Sequence, residues 1–273
     1  MHIRIKLKKK KNETHLFINK MNYKYIIGSG CSFTESNESW INSFDIENKI
    51  NLSRGGCGNK HIQDSIIKCV DKLLQKNVSV DEILVGVQFT GLARLDFIAS
   101  EQTQTINNSL EDFYSYSKID EKSAWIHSGG SNSFVTHHKT ETFQDEYFLK
   151  YYKYFMTDLE NWYNFLIHVI TLQSFLNSHN IKYFFHTGWN LFEFWDIHPN
   201  LFVSHLEKFK VFDYLWNQVD QDKFIFYKSN RRNISPGTTL NYSEYGGMWQ
   251  YMFERDGINT ENHHPNTYGQ KIV

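Results

Sequence analysis

Four short segments of the chain carry side chains suited to chemistry. The first is Gly28-Ser29-Gly30-Cys31-Ser32-Phe33-Thr34. A serine on a sharp turn after a strand presents its hydroxyl at the top of a sheet, and its own N–H can help bind an oxyanion. Alone, such a turn serves equally as a simple reversal or a phosphate cradle. The second, Asn51-Leu52-Ser53-Arg54-Gly55-Gly56-Cys57-Gly58-Asn59, is glycine-rich, which lets backbone amides approach a ligand closely. The third is Gln88-Phe89-Thr90-Gly91-Leu92-Ala93-Arg94. Gln88 and Thr90 can donate side-chain hydrogen bonds, while Arg94 can clamp an anion or pair with Asp96. The fourth is Glu261-Asn262-His263-His264-Pro265-Asn266, where an acid three residues before a histidine can orient the ring and stabilise its charged form.

These segments fall at the ends of expected strands. Tyr25-Ile26-Ile27 reads as a buried strand ending in glycine, 49–52 as a second and 82–89 as the clearest strand, branched on both faces as in a parallel sheet. Further strands are expected at 181–185 and 224–227, and helices at 59–76, 156–178 and 201–217, with Asn59 as a cap. The alternation of strand and helix predicts an α/β fold, a mostly parallel sheet with helices on both faces and its chemistry at the carboxyl ends of the strands. Residues 97–152 are polar and long for a loop. They read as an insertion after the third strand, forming a lid or substrate-facing lobe.

Bulk composition narrows the classes. The chain has 273 residues, 40% hydrophobic and 22% charged, which suits one globular domain over 21–273. A net charge of −1 argues against a general nucleic-acid-binding role. Three cysteines, Cys31, Cys57 and Cys69, make neither a disulfide framework nor zinc spacing, so no metal is expected and a cytoplasmic, reducing compartment is. Residues 1–20 read as a basic, disordered arm without the apolar stretch of a signal peptide or membrane anchor, and Met21 is an alternative start. Oligomeric state is not legible.

Taken together and in order, the four segments resemble the SGNH (GDSL-like) hydrolase superfamily, from about Tyr23 to the end. The resemblance implies a three-layer sandwich around a five-stranded, flavodoxin-like sheet. It implies Ser32 as nucleophile, Gly56 (with Gly55 one residue away) as an oxyanion donor, His264 as base and Glu261 as its acid. Cys31 stands where the family has aspartate, Glu261 stands in place of an aspartate, and the usual asparagine after the third strand is absent, so Thr90 or Gln88 must substitute. The implied activity is that of a serine esterase with no cofactor, acting on a small-molecule or carbohydrate ester, with Arg94 and Trp189 beside the substrate. The alternatives are an inactive domain of this fold that binds a glycan or protein, and a thiol enzyme using Cys31 or Cys57.

Overall fold

The computed structural model describes residues 23–35, 39–100, 115–118, 123–127, 154–194, 203–227 and 246–248. Its main sheet has four parallel strands in the order β2-β1-β3-β7: β1 (Tyr25–Ser29), β2 (Asn48–Asn51), β3 (Ile83–Phe89) and β7 (Lys182–Thr187). All seven residues of β3 are buried, as its branched composition requires for a central strand covered on both faces. The expected strand at 224–227 is reduced to one parallel bridge, Phe185 to Phe224, with Ile225 N–H donating to the Phe185 carbonyl at 2.7 Å. Ile225 is exposed, so this segment lacks the second covering layer that would extend the pairing.

Helix α2 (Asn59–Gln75) buries Ile62, Ile66, Val70 and Leu73, the stripe its periodicity predicts. Helix α3 (Asp158–Ser178) begins on a Thr157 cap whose hydroxyl accepts from Glu160 N–H, and it buries Trp162, Phe165, Leu166, Val169 and Leu172. The two helices pack together. β1 meets α2 through Ser29 and Ser65, whose hydroxyls lie 3.0 Å apart. The expected helix over 201–217 is instead two single turns, α4 (His205–Lys208) and α5 (Asp213–Trp216), joined by a 3₁₀ turn at Lys210–Phe212.

The opposite face of the sheet is covered by Trp40 and Ile41, on a 3₁₀ turn at Trp40–Ser43 that follows a short helix, α1 (Ser32–Glu35). Gly28 and Gly86 sit opposite each other on β1 and β3. A β-carbon at Gly86 would lie 2.6 Å from the Trp40 ring, and one at Gly28 would overlap Ile41. The indole therefore rests directly on backbone, edge-on to Phe184 and His186.

Between β3 and α3, where a polar insertion is expected, three strands form an antiparallel sheet in the order β4-β6-β5: β4 (Asp96–Ser100), β5 (Ser115–Lys118) and β6 (Ser123–His127). The arm at 1–20, and all of 97–152 apart from these three strands, lie outside the described residues. β8 (Glu193–Phe194) and β9 (Val203–Ser204) pair as a two-stranded antiparallel ribbon. Among the described residues no helix is long and apolar enough to cross a membrane.

Buried histidines give the fold an acid limit. Burial holds His186 down to about 3 and His168 to about 4, while burial together with the neighbouring His127 holds His61 near 4. Each is neutral in the fold, whereas an unfolded histidine takes a proton near pH 6.5. Below that value the unfolded chain binds more protons, so stability is full above about 6.5 and is lost as pH falls towards 4. The expected loss is about 2 kcal/mol per histidine between pH 6.5 and 5. Urea midpoints at the two pH values should show this drop, and His186→Phe should shrink it.

Candidate functional site

Ser32 follows the carboxyl end of β1, which the sheet order sets between β2 and β3. The turn after β1 is fixed from below, since Cys31 and Thr34 are buried and the N–H groups of Thr34 and Glu35 both donate to the Cys31 carbonyl. Thr34 Oγ1 donates to Gln88 Oε1 at 2.9 Å and accepts from Trp40 Nε1 at 3.0 Å. Asn51 Nδ2 donates to the Thr34 carbonyl at 2.6 Å. Ser32 thus stands half-buried at the start of α1 on a backbone anchored by three neighbouring elements.

The β1–β2 ladder runs on past the strand ends. Leu52 N–H donates to the Gly28 carbonyl at 2.8 Å and Arg54 N–H to the Gly30 carbonyl at 3.2 Å. This register brings the glycine turn beside the serine, and a β-carbon on Gly55 would lie 3.8 Å from that of Ser32. Gly55 N–H is already committed to Glu35 Oε2 at 2.7 Å. Gly56 has φ 75°, a left-handed conformation that glycine adopts without the strain of a side chain. Glu35 was not expected here; its only sequence signal is a position three residues after Ser32, on the same side of a helical turn.

On the other flank of β1, the ladder with β3 ends at the Ser29–Val87 pair. Thr90 is fully buried, and its hydroxyl has no hydrogen-bond partner among the described residues. Gln88, the other candidate donor, is engaged: besides Thr34, its Oε1 accepts from Cys31 Sγ at 3.5 Å, and its Nε2 lies 3.4 Å from Met248 Sδ. Asn59, expected as a helix cap, is the first residue of α2, and its side chain clasps Thr90 instead. Oδ1 accepts from Thr90 N–H at 2.8 Å and Nδ2 donates to the Thr90 carbonyl at 3.2 Å.

Beyond β7, Gly188 N–H donates to the Phe89 carbonyl and Trp189 turns back over Phe33, ring centroids 4.6 Å apart. The Arg94 guanidinium lies over the same indole, 4.7 Å from its centroid. Arg94 does not pair with Asp96, the partner the sequence offers. Asp96 is buried and accepts from Gly58 N–H at 2.7 Å, His61 N–H at 2.8 Å and His127 Nδ1–H at 2.8 Å. It thereby caps α2 from another element, because Gly58 at the cap position has no side chain of its own. A β-carbon on Gly58 would sit 2.8 Å from the Asp96 carboxylate, so the glycine is what admits it.

Cys31 and Cys57 are fully buried, and Cys57 Sγ–H donates to the Gly30 carbonyl at 3.2 Å. Burial, with Asp96 nearby, pushes the Cys57 thiol well above its usual range, which disfavours the thiolate a cysteine nucleophile needs. Among the described residues no group of three or more His, Cys, Asp and Glu is arranged to hold a metal ion. His264 and Glu261 lie outside the described residues.

Buried polar atoms without partners gather at this end of the sheet. Among the described residues they include Ser53 Oγ past β2, Thr90 Oγ1 and Arg94 Nη1 past β3, and Thr187 Oγ1 at the last residue of β7. Native folds leave few such groups, and each calls for a partner such as a water, an ion or a ligand. No protein-family model matches the chain, and no curated protein or solved structure matches it either.

Proposed function

We propose that the protein is a serine acyl hydrolase of SGNH type, with Ser32 as nucleophile. The observation that carries this reading is the register that sets Ser32 beside a glycine turn at the carboxyl end of a parallel sheet, with Gly56 in the left-handed conformation. The expected five-stranded, three-layer sandwich belongs to the same reading, with the Phe185–Phe224 bridge as the trace of its fifth strand.

In the proposed reaction Ser32 Oγ attacks an ester carbonyl and its proton passes to His264, whose ring Glu261 orients. The oxyanion accepts hydrogen bonds from the N–H groups of Ser32 and Gly56 and from the Thr90 hydroxyl. Gly56 is favoured over Gly55 because Glu35 holds the Gly55 N–H, and Thr90 over Gln88 because the Gln88 amide is engaged. The tetrahedral intermediate expels the alcohol, which takes the proton from His264. Water, deprotonated by the same ring, then attacks the acyl-serine and releases the acid and Ser32. The buried thiols support serine rather than cysteine as the nucleophile.

A fluorophosphonate probe should form a covalent adduct, and peptide mapping should find it on Ser32. Modification elsewhere, or none in folded protein, would instead favour a binding domain of the same fold.

A further inference from the structure

Arg94 is an unusual cation. Its backbone is fixed by a turn, with its N–H donating to the Gly91 carbonyl at 3.2 Å and its own carbonyl against Gly58. Its guanidinium lies over the Trp189 ring, which in turn packs at a tilt against Phe33, the residue after the proposed nucleophile. Nη1 is shut off from water and has no hydrogen-bond partner among the described residues. No carboxylate among them pairs with it: Asp96 is taken by Gly58, His61 and His127, and Glu35 faces Gly55 and Arg54. A charged donor held in one orientation and left without an acceptor is costly unless an anion arrives to accept from it. The residue as a whole is only half-buried.

We propose that Arg94 recognises an anionic group, a carboxylate or a phosphate, carried by the ester that binds at Ser32. The assignment rests on Ser32 marking the reaction centre. The planar fork of arginine suits both anions, since two parallel N–H groups match two oxygens. Trp189, itself packed against Phe33, supports that fork from one side, because the cation is attracted to the ring face beneath it. The substrate class is then an acidic ester, one that presents its charge to the β3 end of the sheet while its carbonyl lies against Gly56.

Equilibrium binding by titration calorimetry tests this without relying on turnover. Ser32→Ala protein is titrated with monomethyl succinate, methyl phosphate and neutral dimethyl succinate. At least one anion should bind about tenfold to a hundredfold more tightly than the neutral ester, the range of a charge-assisted hydrogen bond, and the tighter one names the class. Arg94→Gln in the same background should abolish the preference, while Arg94→Lys, which keeps the charge but loses the fork, should keep part of it. Urea unfolding of each variant checks the fold. Equal binding of charged and neutral esters, binding of none of them, or a preference that survives in folded Arg94→Gln would each overturn the proposal. Failure of fluorophosphonate labelling would overturn the hydrolase reading but not an anion preference found here.

Discussion

Ser32→Ala should lower ester hydrolysis by at least about 10⁴-fold while leaving the fold intact. The size of the effect follows from chemistry. Without the hydroxyl no acyl-enzyme forms, and only the backbone donors remain to assist a direct attack by water. The fold is expected to survive because the turn is anchored at neighbouring residues. Its anchors are the Cys31 carbonyl, the Thr34 hydroxyl and Asn51, none of which the substitution removes. The measurement is the steady-state rate with p-nitrophenyl esters, beside a urea unfolding curve for both proteins. A variant that keeps more than about a tenth of the wild-type rate would exclude Ser32 as nucleophile.

The second large effect concerns stability. Asp96→Ala should destabilise the protein by about 3–5 kcal/mol, since each buried donor left without its acceptor costs about 1–3 kcal/mol. The alanine would strand the N–H groups of Gly58 and His61 and the Nδ1–H of His127, all in a region closed to water. It would also remove the negative charge from the start of α2, where the helix dipole favours it. Asp96→Asn should lose less, since its amide oxygen still accepts. Unfolding in urea, followed by intrinsic fluorescence, gives both values; a loss below about 1 kcal/mol for the alanine would mean that the carboxylate does not hold these elements together.

How far the sequence led depended on the range of the forces involved. β1, β3, β7 and α2 follow from local patterns of branched and spaced apolar residues, and the structure has them within a residue or two of expectation. The segment at 224–227 carries the same strand signal as β7, but a strand needs a covered face as well as a pattern, and Ile225 has none. The 201–217 segment has helical composition, yet the chain there breaks into single turns. Within the site, Gly56 was legible because a run of glycines announces a turn. Gln88 looked like a free donor because nothing nearby in sequence reveals that Thr34 and Met248 close over it. Asp96 looked like the partner of Arg94, two residues away, whereas its real partners are 31 to 38 positions distant. Hydrogen bonds across such separations leave no local signature.

The glycine window under Trp40 has a consequence for how this chain can vary. Gly28 and Gly86 sit opposite each other on adjacent strands, and Ile41 and the Trp40 indole fill the space their missing side chains leave. From there its N–H reaches Thr34, two residues from Ser32. A larger residue at position 86 cannot be accommodated while the ring stays, and a smaller residue at position 40 would leave a void above bare backbone. The positions are therefore locked into joint change: divergent versions of this chain should exchange bulk between 40 and 86 in a compensating way, or retain both.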